Sequence, residues 1–134
     1  MASVLTKMLA GEAAQLKVFE DDAFAAVLEP RPLARGHTVV FPKKEADALF
    51  DLGDPELSGL VLFAKKVARA LKEEIPCRKI ALVAYGLEVP HAHLHLIPAH
   101  GRAGETDLSR PRSEAAREDL AALAGSLRRR IKPF

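Results

Sequence analysis

Apolar and polar positions recur along this chain at two periods, and the change from one to the other marks out its elements. Leu16-Lys17-Val18-Phe19-Glu20 and Ala23-Phe24-Ala25-Ala26-Val27-Leu28 are short apolar-rich runs on either side of Asp21-Asp22, a pattern that predicts two strands joined by a tight acidic turn. Pro30 and Pro32 lack a backbone N–H and favour extended conformations before them, so Glu29 to Gly36 is expected to be a loop. A third strand follows from Thr38 to Phe41, closed by Pro42. Asp54-Pro55 reads as an N-cap followed by proline at the first helical position. Leu57, Leu60, Val61, Ala64, Val67, Ala68 and Leu71 then recur at helical spacing, which predicts the longest helix, ending at Ile75-Pro76. Ile80-Ala81-Leu82-Val83-Ala84-Tyr85 is a nearly unbroken apolar run suited to a buried strand. Gly86 to Pro90 turns the chain toward another strand at His91 to Ile97, and these two are expected at the sheet centre. After a loop from Gly101 to Pro111, Ala116, Leu120, Leu123, Ala124, Leu127 and Ile131 outline a C-terminal helix. Strands and helices together make an α+β chain.

Composition narrows the class. A length of 134 residues leaves no room for a second core of comparable size, so residues 1–134 are expected to form one domain. Apolar residues at 49% and charged residues at 28% are a globular balance, not a disordered one. With 20 basic against 18 acidic side chains, the net charge of +2 gives no global field that would draw nucleic acid or a membrane surface, so any anion site must be local. Lys65, Lys66, Arg69 and Lys72 on the second face of the long helix read as a solvated face. Arg128, Arg129 and Arg130 follow Glu114, Glu118 and Asp119 in the order that suits a helix dipole, which favours a structural role over an RNA-binding tail. Cys77 is the only cysteine, the first residues lack the apolar run of a secretory signal, and no stretch reaches the roughly 20 apolar residues of a membrane span. A cytoplasmic location is the resulting expectation.

The segment that carries chemistry is Pro90-His91-Ala92-His93-Leu94-His95-Leu96-Ile97-Pro98. Alternation of period two on a strand would send His91, His93 and His95 to one face, with successive imidazoles roughly 6.5 to 7 Å apart. Solvated histidines on an edge strand are the bland alternative, but three on one face of an otherwise apolar strand argue for a use of imidazole. Neighbouring imidazoles disfavour simultaneous protonation, so at least one is expected to be neutral and nucleophilic near pH 7, with protonated neighbours supplying positive potential for a phosphate oxygen. That combination fits phosphoryl or nucleotidyl transfer. His-x-His is also a zinc-ligand spacing, for which His37 or Glu88 would supply a further ligand.

His91-Ala92-His93-Leu94-His95-Leu96-Ile97 resembles the His-φ-His-φ-His-φ-φ signature of the histidine-triad (HIT) family. Gly11-Glu12, Val18-Phe19-Glu20-Asp21-Asp22 and Pro32-Leu33-Ala34-Arg35-Gly36-His37-Thr38-Val39-Val40-Phe41-Pro42-Lys43-Lys44 resemble that family's hairpin and Gly-His-Thr segment in the same order, so the resemblance spans roughly residues 10–98 and leaves 99–134 as an extension. It implies an α+β fold with a five-stranded antiparallel sheet, to which the periodicities above add one long central helix and a C-terminal helix, and a homodimer whose sheets join. It also implies hydrolysis or transfer of nucleoside monophosphates from phosphoramidates or dinucleoside polyphosphates through a nucleotidyl-histidine intermediate, without a metal or other cofactor. By motif position His93 would be the nucleophile, His95 the contact to phosphate oxygens, His91 a support for the triad and His37 a fourth positioning histidine.

Three departures from the family pattern bear on substrate. Glu29 in Glu29-Pro30-Arg31-Pro32 stands where a ribose-binding aspartate is usual, a longer carboxylate still able to accept two hydroxyl hydrogen bonds. Glu88 in Gly86-Leu87-Glu88-Val89-Pro90 stands where a serine would contact phosphate. A carboxylate there repels phosphate unless protonated or paired, yet offers a general acid for an amine leaving group. The N-terminal cysteines that hold structural zinc in some members are absent, so no metal site is expected. The expected function is a nucleotide-binding hydrolase or nucleotidyl transferase with a small-molecule nucleotide substrate. The alternatives are a nucleotide-binding or interaction protein with weak or no catalysis, and a zinc enzyme.

Overall fold

The computed structural model describes residues 3–131. Five antiparallel strands, β1 (Lys17–Glu20), β2 (Phe24–Leu28), β3 (Thr38–Pro42), β4 (Lys79–Val83) and β5 (Leu94–Ala99), form one sheet in the order β1-β2-β3-β5-β4. Three helices accompany it: α1 (Val4–Ala10), α2 (Asp54–Glu74) and α3 (Arg117–Arg130). This is the α+β architecture expected from the sequence, with α1 as an addition. Among the described residues no helix is long and apolar enough to cross a membrane.

Strand alternation sorts the side chains into two layers. Ala26, Leu28, Val40, Leu94 and Leu96 belong to the larger cluster, which contains Leu60, Phe63, Val67 and Leu71 of α2 and Leu120, Leu123 and Leu127 of α3. Burying an aromatic or aliphatic side chain such as Phe63 or Leu60 contributes about 1.5–3 kcal/mol each, so this layer holds α2 and α3 to the sheet. The opposite layer is smaller: Ala25, Val27, Val39 and Phe41 pack with Leu5 of α1. Gly36 packs against the larger layer. Its φ of +92° is open to glycine, and a Cβ there would fall 2.1 Å from Ile75 Cδ1, so the loop before β3 packs directly on the end of α2.

Several expectations are corrected. Gly53, not Asp54, caps α2, and Asp54 and Pro55 lie inside its first turn. Phe63 and Ala70 join the buried face, whereas Val61 is exposed. Lys66 is half-buried with Nζ 5.8 Å from the centre of the Phe19 ring, and Lys72 Nζ donates to the carbonyls of Cys77 and Arg78, so these two cations do more than face solvent. β4 is an edge strand, with Leu82 50% exposed, and only β5 of the expected central pair is central. A long apolar run reports a strand suited to burial, but it does not fix that strand's place in the sheet order. His91 and His93 precede β5 instead of lying in it, because Ala92 N–H leaves the ladder to reach Ala46 O at 2.6 Å.

Candidate active site

The alternation of β5 turns Leu94 and Leu96 toward the helices and His95 toward the layer of α1, in register with Val39 of β3. His93, just before the strand, places its ring 4.9 Å from that of His95, closer than the spacing expected for a regular strand. His37, at the entry to β3, lies 5.1 Å from His95 on the other side. The three rings form a row, and His91 stands behind His93.

Hydrogen-bond partners fix the proton on each ring, because a carbonyl oxygen only accepts and a backbone N–H only donates. Leu33 N–H donates to His37 Nδ1 at 3.0 Å, so the proton of neutral His37 sits on Nε2. His37 Nε2–H in turn donates to His95 Nδ1 at 2.9 Å, which leaves the His95 proton on Nε2. His93 Nδ1–H donates to His91 O at 2.6 Å, so its Nε2 carries an unprotonated lone pair. His91 Nε2–H donates to Pro42 O at 2.7 Å. Two neighbouring rings therefore carry opposite groups at Nε2, a lone pair on His93 and a donor on His95.

Burial disfavours the charged form of His37, His93 and His95. It pushes His37 down to about 3, helped by His95 and Arg112, and His95 down to about 4, helped by His93 and Arg112. His93 is lowered by burial as well, against the opposing effect of its hydrogen bond to His91 O. The expected positive potential from protonated neighbours is thus absent from His37 and His95 at neutral pH. A fixed cation near them is Arg112, which sequence reasoning missed because it lies beyond the matched motifs and has no local pattern.

His93 and His95 line a cavity of about 250 Å³ between the sheet and α1. Val4, Leu5, Met8 and Val39 give it an apolar wall, and Glu29, Glu88 and Arg112 bring charge to it. Glu29 Oε1 accepts from Arg31 N–H at 3.3 Å and lies 4.0 Å from Arg112 Nη1. Burial nevertheless raises the Glu29 carboxyl above the ordinary range, outweighing the arginine. The segment carrying Arg112 is tied down where Ala115 N–H donates to Pro30 O and Arg112 Nη1 to Arg31 O. The structure thus brings five of the six sequence-predicted residues (His37, His93, His95, Glu29, Glu88) to or directly behind one cavity, and the sixth, His91, supports His93 from within the fold. Among the described residues, no three histidine, cysteine or acidic side chains are placed to share a metal ion.

The family model described as the HIT domain matches residues 10–102, most of the chain. This protein belongs to the HIT family. An uncharacterized HIT-like protein of Mycobacterium tuberculosis is 34% identical over 103 residues, covering 73% of this chain and 72% of the relative. The adenosine 5'-monophosphoramidase of Saccharomyces cerevisiae is 30% identical over 136 aligned positions, covering 93% of this chain and 85% of that enzyme. Among solved structures, a HIT-like protein involved in cell-cycle regulation from Bartonella henselae superposes with a TM-score of 0.81 at 26% identity, covering 96% of this chain and 95% of that one. The HIT match begins within α1 and ends just after β5, so Arg112 and α3 lie outside it.

Proposed function

We propose that this HIT protein binds a nucleoside monophosphate moiety and cleaves the bond from its phosphorus to an amine or a phosphate leaving group. The observation that carries this reading is the unprotonated Nε2 of His93 on the cavity, held in that tautomer by His91 O. The apolar wall of Val4, Leu5, Met8 and Val39 suits a nucleobase, and Glu29 suits the ribose hydroxyls. His93 Nε2 attacks the α-phosphorus and the bond to the leaving group breaks. The leaving group takes a proton from solvent, relayed by Glu88 at the cavity where an amine departs. His95 Nε2–H binds a phosphoryl oxygen as charge builds on it. The phosphorylated imidazole is a cation, and the His91 carbonyl stabilises its Nδ1–H. Water then attacks the same phosphorus, loses a proton to solvent, and releases the monophosphate and neutral His93. The named activity of the yeast relative supports the phosphoramidate branch.

Arg112 favours a second reading, binding with little turnover, since it already engages the carboxylate proposed to hold ribose. Calorimetry with AMP beside turnover of an adenosine phosphoramidate separates the two. Tight binding together with turnover that is lost in His93→Ala supports the hydrolase, and binding with no His93-dependent turnover supports the second reading.

The reading includes a homodimer of one-domain chains in the cytoplasm. The unpaired edge of β4, with Leu82 and the following Tyr85 half exposed, is suited to extension by the same strand of a second copy. Light scattering after size exclusion is expected to give a dimer mass for the wild type and a monomer mass for Leu82→Arg.

A further inference from the structure

We propose that Ser3, the residue capping α1, is a positioning residue for His93. The inference rests on the reading of His93 as the nucleophile, and it concerns a segment of the chain far from the triad in sequence. Ser3 Oγ lies 2.5 Å from His91 Nδ1. With a ring proton committed from Nε2 to Pro42 O, His91 Nδ1 is left to accept from the Ser3 hydroxyl, and the Thr6 hydroxyl, 3.3 Å from Ser3 Oγ, is then the donor of that pair. Ser3 is itself held from two further directions. Its Oγ accepts Thr6 N–H at 3.1 Å as the helix cap, and its own N–H donates to Glu45 Oε1 at 2.7 Å.

The His91 ring is fully buried, stands edge-on to Phe41, and is gripped at both nitrogens. A ring fixed at both ends fixes the main chain that bears it, and that main chain presents the carbonyl which selects the tautomer and aim of His93. Without the hydroxyl, a buried acceptor is left bare and the ring turns to find another donor, moving that carbonyl. Val4, Leu5 and Met8 of the same short helix form the apolar wall of the cavity. α1 therefore serves the site twice, at the wall through its side chains and at the nucleophile through its cap.

The test uses the full chain with Ser3→Gly, Ser3→Ala and Ser3→Thr, an adenosine phosphoramidate as substrate, and ¹⁵N NMR of the histidine rings. Glycine is nearly as good an N-cap as serine, so Ser3→Gly removes the hydroxyl while sparing α1. Ser3→Gly and Ser3→Ala are expected to lower kcat about tenfold to a hundredfold with KM unchanged, and Ser3→Thr to retain wild-type kcat. The His91 Nδ1 signal is expected to lose its hydrogen-bonded position in the first two variants only. Wild-type kcat in Ser3→Gly, or a loss that Ser3→Thr shares, overturns the proposal. Turnover that survives His93→Ala would instead remove the nucleophile reading. In that case unchanged His91 signals in Ser3→Gly refute the hold on the ring, and shifted signals uphold it.

Discussion

The back of the histidine site and its front differ in what their nitrogens are free to do. His37 and His91, at the back, are 1% and 0% exposed, and both ring nitrogens of each are engaged within the protein. His93 and His95, at the front, are 7% and 8% exposed, line the cavity, and are bonded within the chain through Nδ1. The same side chain is thus used in two ways. The back pair sets tautomers, and the front pair presents the result as one lone pair and one donor. In the proposed mechanism, chemistry at phosphorus belongs to the front and the back governs how well it is aimed.

Substitutions along the row rank these roles. His93→Ala is expected to lower kcat on the order of 10⁴-fold or more, as loss of a nucleophile does. His95→Ala removes the proposed donor to the developing charge and is expected to cost about 10²- to 10³-fold in kcat, read in the same phosphoramidate assay. His37→Ala leaves His95 free to take the wrong tautomer and is expected to cost about tenfold to a hundredfold, with KM little changed. Equal losses at all three histidines would erase the distinction between back and front.

Acid gives the smallest expected effect and tests the neutral rings together. His37 and His95 are held at about 3 and about 4, below the value near 6.5 of an unfolded histidine. The unfolded chain therefore binds protons that the folded chain refuses. Their stabilising effect is complete above about pH 6.5 and is lost progressively as the pH falls toward the folded values. Urea midpoints at about pH 7.5 and about pH 5 are expected to show the lower stability in acid, with a smaller difference in His37→Ala.

Strands β1 to β3, α2 and α3 were legible in the sequence because each carries a clean period and a polar or proline boundary. α1 was not. Seven residues are too few to form a stable helix alone, and Val4–Ala10 is held by the Ser3 cap and by Leu5 against the sheet. The Ser3 to Thr6 spacing before alternating apolar pairs was the available signal. The Ile80 to Tyr85 run looks central in sequence because β-propensity responds to covering of a strand's faces, and the sheet order alone places β4 at the edge. In the site, the three histidines and His37 followed from the motif. Their hydrogen-bond order depended on Leu33 N–H, His91 O and Pro42 O, main-chain groups that carry no side-chain signature. Arg112 reaches Glu29 only through the path of a loop 83 residues further on.

The proposed mechanism requires the bare Nε2 of His93 to take up the phosphoryl group. Acid-quenching the enzyme during turnover of an adenosine phosphoramidate and mapping the modified peptide by mass spectrometry tests it directly. A nucleotidyl group on His93, absent from His93→Ala and retained in His37→Ala at a reduced rate of formation, is the predicted result. An adduct on another residue, or one that forms unchanged in His93→Ala, would contradict it.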